Sequence, residues 1–171
     1  MTEPRTHRHV VRNRKKNPVP LSKLRTSDAV KTVVDHPRRL EELLRMLDDK
    51  DRGVRGRAAA AVARLSESHP ARLSRVIVRI KEGLADDSAY VRWYLVYTLG
   101  KLAAYSPSHS RPCLDDIVSR LEDENRVVRG VACKALSQVA ARNPQIVEEF
   151  FRSLKKDVPP SIARVLRKIS R

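Results

Sequence analysis

Four aromatic side chains lie close together in the middle of the sequence. Tyr90, Trp93, Tyr94 and Tyr97 recur at the three- and four-residue spacing that places side chains on one face of a helix. Trp and Tyr join a large apolar ring to a polar group, which makes them favoured contact residues of binding surfaces. Trp93 is the single tryptophan of the chain. This spacing predicts an aromatic surface on a helix, exposed to a partner.

Basic residues fall near the same predicted face. Aromatic rings among cations suit the bases and phosphates of a nucleic acid, and cations also suit an acidic segment of a protein. In a second interpretation, Trp93 packs sideways against a neighbouring helix and fills space left by Gly56 and Gly130, which occupy matching positions of the repeat described below. The candidate partner-binding residues also include Arg57, Arg64, Lys101, Arg126 and Lys134.

A further set of cations lies near the N-terminus. Residues 1–25 contain three prolines and a charge cluster without periodicity, so we expect a disordered basic arm. Such an arm could follow a nucleic-acid backbone by releasing counterions, or it could only keep the chain soluble. The whole chain has 36 Lys and Arg against 20 Asp and Glu, a formal charge of +16 that implies a polyanionic partner. The candidate phosphate contacts of the arm are Arg5, Arg8, Arg12, Arg14, Lys15 and Lys16.

The sequence offers little for catalysis or metal binding. It contains no GxSxG, no phosphate-binding glycine loop and no HExxH, and Cys113 and Cys133 show no metal-ligand spacing. We therefore expect no enzyme activity, no cofactor, no metal and no small-molecule substrate. The cysteines are predicted to be small core residues in a reducing, cytoplasmic compartment. No apolar stretch has the length of a membrane span, so we expect no membrane association.

An internal repeat must position the candidate residues. Val54, Val91 and Val128 are each followed by arginine and are separated by 37 residues twice. Leucines, aspartates and prolines keep the same offset, and a fixed period of this size is typical of stacked supersecondary units. Apolar stripes of helical spacing predict two helices in each unit. Helix A begins near a proline, and helix B is predicted to be capped by Asp51, Ser88 and Asn125 in the three units.

The period predicts four units and an all-α fold, a solenoid of stacked helical hairpins over residues 26–171. The repeats cover about 37–69, 70–106, 107–143 and 144–171, and residues 26–35 form a possible N-terminal cap helix. In the third unit, helix A could begin at Pro107, or at Pro112 with Ser110 as its cap. The fourth unit is shortened, with a brief helix B from about Pro160 to Ile169, as a C-terminal cap should be.

Three in-register segments, LDDKDRGVRGRAAAAVARL, LADDSAYVRWYLVYTLGKL and LEDENRVVRGVACKALSQV, resemble HEAT repeats, and the resemblance covers about 37–171. It implies a right-handed α-solenoid whose B helices line the concave side. It also implies that aspartates and arginines of the motif bridge neighbouring units. This Asp–Arg ladder, structural rather than part of a binding site, would join Asp49, Asp86 and Asp123 to Arg55, Arg92 and Arg129.

HEAT-like arrays commonly bind other proteins. The resemblance therefore favours a monomeric, non-catalytic scaffold that presents its concave B helices to an acidic segment of a partner protein. The alternative is a protein that binds DNA or RNA with little sequence preference through the arm and the same face. HEAT-like alkylpurine DNA glycosylases act on DNA with concave aromatic and carboxylate residues. Here the turn after Trp93 supplies Tyr97 and Gly100 and no carboxylate, so this activity is the least favoured of the three.

Overall fold

A proline marks the start of every A helix in the computed structural model, which describes residues 18–154 together with Pro160, Ala163 and Arg167. Proline suits this position because its missing N–H would have no partner in the first turn of a helix. The four positions are Pro37, Pro70, Pro107 and Pro144. The later start considered for the third unit is wrong, because Pro112 lies inside the helix and the Ser110 hydroxyl donates to the carbonyl of Ala103.

The three B helices are long and uninterrupted, whereas the A helices are partly 3-10 helical. The B helices are α3 (Arg52–Ser68), α6 (Ala89–Tyr105) and α8 (Arg126–Arg142), each of 17 residues. Helix α1 (Thr26–Asp35) precedes the first unit and packs against α3. The first A helix is α2 (Leu40–Arg45) between the 3-10 segments Pro37–Arg39 and Met46–Asp48. The second consists of α4 (Pro70–Leu73) and α5 (Ile77–Glu82), joined by the 3-10 segment Ser74–Val76 and followed by Gly83–Ala85. The third is α7 (Pro107–Ser119), which continues into the 3-10 segment Arg120–Glu122, and the fourth is α9 (Pro144–Ser153).

The residues that keep the 37-residue period form the core. α6 packs between α3 and α8, so each B helix buries its apolar side against its neighbours and its own A helix. Val62, Leu99 and Leu136 occupy equivalent positions and are all fully buried. Leu47, Leu84 and Leu121 are buried in the same way at the ends of the A helices. The predicted all-α repeat solenoid is thus confirmed.

Side-chain caps begin two of the three B helices. The Asp51 carboxylate accepts from the backbone N–H groups of Gly53 and Val54, and the Asn125 carbonyl oxygen does the same for Val127 and Val128. The predicted cap is wrong for Ser88, whose side chain makes no such bond. In the turn before α6, Asp86 accepts from the Ser88 N–H at 2.7 Å, a bond that Asp49 and Asp123 also make in the other two units.

Ion pairs join the loops of successive units in the arrangement that the HEAT resemblance implied. Arg92 donates from Nε and Nη2 to the two oxygens of Asp123, both at 2.9 Å, and this pair is almost completely buried. Arg55 bonds Asp86 in the equivalent way, at 2.7 Å from Nε. Arg129 donates to two carbonyl oxygens of its own loop and forms no ion pair with a carboxylate among the described residues.

The ladder shifts the acidity of its carboxylates. Burial alone would raise the pKa of Asp123, but hydrogen bonds from Arg92 and from the Asn125 N–H outweigh burial, so its pKa is lowered from the ordinary value. The pKa of Asp86 is lowered for the same reasons, with Arg55 and the Ser88 N–H as the donors that oppose burial. Both carboxylates are therefore held in the charged form by the folded structure.

The segment before α1 is packed against the first unit. Leu21 lies in a 3-10 turn (Leu21–Lys23), is fully buried, and donates its N–H to Glu42 at 2.7 Å. Arg39 bridges Glu42 and the carbonyl of Val19, and Arg57 donates to the carbonyl of Ser22. The prediction of a disordered arm over residues 1–25 is therefore wrong for this part, because a buried leucine and two arginine bonds fix it. Residues 1–17, with the six cations of the arm, lie outside the described residues.

The structure also bears on the predicted last B helix and on Cys113. Pro160, Ala163 and Arg167 are helical, and the remainder of the predicted last B helix lies outside the described residues. Cys113 is fully buried, and burial raises the pKa of its thiol to about 12, as suits a core residue. Along the described chain, no helix has both the length and the apolar character needed to cross a membrane.

Candidate functional site

The aromatic cluster on α6 lies at the centre of a surface that all three B helices share. We call this surface the B-helix face. It consists of the outward side chains of the three B helices, which recur at matching positions of the repeat. Its members are Arg52, Gly53, Gly56, Arg57, Arg64 and Glu67 on α3; Tyr90, Trp93, Tyr94, Tyr97, Lys101 and Ala104 on α6; and Arg126, Val127, Gly130, Lys134, Gln138 and Ala141 on α8.

The rings of the cluster pack on one another. Trp93 meets Tyr94 edge to face at 4.3 Å between ring centroids and stacks against Tyr97 at 6.2 Å. Tyr90 meets Tyr94 edge to face at 4.9 Å, and their hydroxyls are 3.4 Å apart. Lys101 Nζ lies 5.1 Å above the Tyr97 ring, a cation–π contact. The structure therefore brings together the five candidate residues that α6 supplies.

Trp93 adopts neither of the two predicted arrangements in full. It is half-buried, and its ring contacts are with aromatic residues of its own helix. The space above Gly56 is taken by Tyr90, whose ring lies 3.2 Å from the point where a Cβ would be. At Gly130, no described atom lies within 4 Å of the position that a Cβ would occupy. Trp93 thus has one side in the cluster and one side open.

Two tyrosines are held as neutral donors by their surroundings. The hydrogen bond to Tyr90, together with burial, raises the pKa of Tyr94 to about 12, while the positive charge of Arg64 acts in the opposite direction. Burial, and then the hydrogen bond from the Tyr97 hydroxyl to Glu67, raises the pKa of Tyr97 to about 12. Both hydroxyls remain protonated at neutral pH, so the cluster contributes apolar surface and hydrogen-bond donors rather than charge.

The cations of the face greatly outnumber its carboxylates. The three B helices contain ten arginines and lysines and one acidic residue, Glu67. Three of these arginines belong to the ladder positions. Exposed cations that remain on the face include Arg64 on α3 and Lys134 on α8. The A helices mix both signs and neutralise them locally, as in the pairs Lys81–Asp116 and Arg79–Glu82. Positive charge is therefore concentrated on one side of the solenoid.

Three depressions give the B-helix face its relief. One of about 480 Å³ lies beside α1 and is lined by Arg57, Gly56 and Tyr90. A second of about 420 Å³ lies between α6 and α8, beside Trp93 and Val127. The third, of about 540 Å³, crosses all three B helices near their C-terminal ends, with Glu67, Lys101 and Gln138 in its lining. Two of the depressions thus lie toward the N-terminal ends of the B helices and the third toward their C-terminal ends.

Sequence reasoning missed two residues of the face. Val127 is 64% exposed and lies beside Trp93, although it occupies the repeat position of Tyr90, so the period could have identified it. Glu67 accepts the Tyr97 hydroxyl and is the one carboxylate of the three B helices. Of the candidate cations, Arg57 is partly engaged by the Ser22 carbonyl, whereas Arg64, Arg126 and Lys134 are exposed. Among the described residues, no group of three or more His, Cys, Asp or Glu could hold a metal ion.

Comparison with known proteins identifies the kind of protein that has this architecture. A family model described as Cnd1, non-SMC mitotic condensation complex subunit 1, matches residues 68–160, more than half of the 171-residue chain. No curated protein sequence matches significantly.

Solved structures of armadillo repeat proteins share the fold. A computationally designed armadillo repeat protein for modular peptide recognition superimposes with a TM-score of 0.63 at 19% identity, over 87% of this chain and 71% of the other. A designed armadillo repeat protein in complex with the peptide (KR)4 gives 0.59 at 17% identity, over 85% and 67%. A third design gives 0.61 at 17% identity, over 88% and 71%. These similarities concern the fold, a helical-repeat scaffold of the kind typical of protein-binding modules.

Proposed function

The chain belongs to the family of non-SMC mitotic condensation complex subunit 1, and from this premise we propose that it is a non-catalytic binding module. Its partner is an acidic, extended segment of another protein, which lies across the three B helices. The observation that carries the proposal is the segregation of charge, since the B helices contain seven cations besides the ladder arginines and one carboxylate. Complementary potentials of this kind select a partner and accelerate its association.

One of the designed armadillo proteins shows that a scaffold with this fold can hold a charged peptide. That design was solved in complex with (KR)4, a peptide of alternating lysine and arginine. The present chain has a related scaffold, but the B-helix face is basic. An acidic peptide is therefore the counterpart that this face would accept.

A protein segment accounts for the aromatic cluster better than a nucleic acid does. Stacking on bases requires free ring faces. Here Trp93 stacks on Tyr97, and Lys101 Nζ also lies over the Tyr97 ring. The Tyr97 hydroxyl is also engaged by Glu67 and is not free to bond a base. The face thus offers apolar edges and dispersed cations, which suit side chains and carboxylates of a peptide.

The test compares two charge reversals of equal size. A fluorescein-labelled peptide of glutamates and serines is titrated with the protein, and binding is followed by anisotropy at physiological salt. The variant Arg64→Glu with Lys134→Glu changes the B-helix face, and Arg38→Glu with Arg75→Glu changes exposed positions on the A helices. We expect the first pair to weaken binding about tenfold or more and the second by less than about threefold.

Equal losses in the two double variants would overturn the proposal, because attraction would then follow net charge alone. Duplex DNA serves as the competing ligand in the same assay. If DNA displaces the peptide at lower concentration and its binding is lost in the B-helix variant, the nucleic-acid function replaces the protein-binding one. Circular dichroism of all variants verifies that the helices are retained.

A further inference from the structure

An apolar pocket lies inside the basic face. It is the depression of about 420 Å³ between α6 and α8, and we call it the Trp93 pocket. Tyr90 and Val127 line it and are 56% and 64% exposed, which makes them two of the large hydrophobic residues that the described chain leaves in contact with solvent. Trp93 and Tyr94 form its aromatic wall, and Ala89 and Asn125 complete the lining.

The pocket arises because the two successive interfaces between B helices, α3 with α6 and α6 with α8, combine large and small side chains in opposite order. Between α3 and α6, the large Tyr90 covers the small Gly56. At the equivalent place between α6 and α8, the small Val127 lies beside the large Trp93. A valine covers much less surface than a tyrosine, so part of the indole stays uncovered. Exposed apolar surface within a polar rim is typical of a contact site rather than of a solvated face.

Exposed cations lie on the same face as the pocket, although none of them lines it. Arg126 directly precedes Val127 and is exposed, and Lys134 follows on the same face of α8. Arg64 is near enough to Tyr94 for its charge to influence the hydroxyl. The apolar wall and the cations of the same face together define an occupant that combines an apolar side chain with flanking carboxylates.

We infer that the Trp93 pocket receives one bulky apolar side chain of the partner, while carboxylates on either side of it in the partner's sequence meet Arg64, Arg126 and Lys134. This inference rests on the proposed function and specifies the sequence chemistry of the segment that binds. The apolar residue is the anchor, because its burial displaces water from the indole, and the carboxylates fix the direction and position of the segment.

The experiment uses the acidic peptide described above and a second peptide in which one central serine is replaced by phenylalanine. We expect the phenylalanine to strengthen binding to the full chain about tenfold, as burial of an aromatic side chain allows. Because Trp93 is the single tryptophan, its emission reports on the pocket directly. The emission should shift to shorter wavelength with the phenylalanine peptide and change little with the purely acidic peptide.

Two matched variants locate the effect. Val127→Ser alters the pocket, and Val78→Ser alters a valine of α5 that is 69% exposed and lies on an A helix. Both changes are at exposed positions, where the fold tolerates them. The gain from phenylalanine should fall to about threefold or less in Val127→Ser and persist in Val78→Ser.

The outcomes separate the two proposals. If neither peptide binds, the proposed function fails. If the acidic peptide binds but phenylalanine adds less than about twofold and leaves the Trp93 emission unchanged, the anchor inference fails and the proposed function stands. An equal loss of the gain in both valine variants would also overturn the anchor inference.

Discussion

Two sets of positions in the repeat behave in opposite ways. Positions that keep the same residue type every 37 residues, such as Arg55, Arg92 and Arg129, lie in the core or in the Asp–Arg ladder. Positions that differ between units, such as Gly56 and Trp93, lie on the B-helix face. In a repeat protein, every unit must meet its neighbour in the same way, so shared residues build the stack. The residues that break the period are free to determine what binds.

Removal of a ladder arginine should have the largest effect on stability. Arg92→Ala leaves the buried Asp123 carboxylate without its bidentate partner, and we expect a loss of about 3–5 kcal/mol in the free energy of unfolding. Arg129→Ala is the matched control, because Arg129 makes the same bonds to loop carbonyls but forms no ion pair with a carboxylate among the described residues. Its loss should be clearly smaller. Urea denaturation measures both, and similar losses would show that the ion pair contributes little.

Acidification should weaken the same ladder. The pKa values of Asp86 and Asp123 are lowered in the folded state, so their contribution is fully present above the ordinary aspartate pKa of 3.8 and disappears as the pH falls through the folded values. The free energy of unfolding should therefore decline below about pH 4. The double variant Asp86→Asn with Asp123→Asn should be less stable at neutral pH and decline less on acidification.

The control for the acid effect is Asp35→Asn with Glu149→Gln, which removes two exposed carboxylates outside the ladder. This variant should keep the pH profile of the unmodified chain. If the profile of the ladder variant is also unchanged, other groups determine the acid sensitivity. The measurement is the unfolding free energy from urea titrations at several pH values.

The repeating positions explain why most of the fold could be predicted from sequence. The period, the prolines and the apolar stripes each reflect a local rule, and together they specify the order of helices, whereas the ladder pairs were implied by the HEAT resemblance. The capping prediction for Ser88 was wrong, because its side chain makes no bond to the first turn of α6, and the side-chain type alone did not reveal this. The packing of Leu21 was missed for a different reason, since a single buried leucine in a proline-rich segment has no periodic signal.

The face was harder to predict than the fold. Helical spacing alone brought together Tyr90, Trp93, Tyr94 and Tyr97, because they share one helix. Contacts between helices depend on the relative size of side chains at each seam, and spacing does not contain that information. Tyr90 rather than Trp93 covers Gly56 for this reason. The Trp93 pocket likewise follows from a pair of residues, Trp93 and Val127, on two different helices.

Two glycines on the B helices provide the most sensitive comparison, because replacement by alanine should change the free energy of unfolding in opposite directions at the two positions. A Cβ at Gly100 would lie 2.6 Å from the Ala135 Cβ and 3.1 Å from its Cα, where α6 and α8 cross. Gly100→Ala must push these helices apart, and we expect a loss of about 1–3 kcal/mol.

At Gly130, which is exposed, the same Cβ meets no described atom within 4 Å. Gly130→Ala should therefore stabilise the chain by about 1 kcal/mol, since alanine is the better helix former. Thermal and urea unfolding of both variants should give shifts of opposite sign. A destabilising Gly130→Ala would contradict the open surroundings of this position.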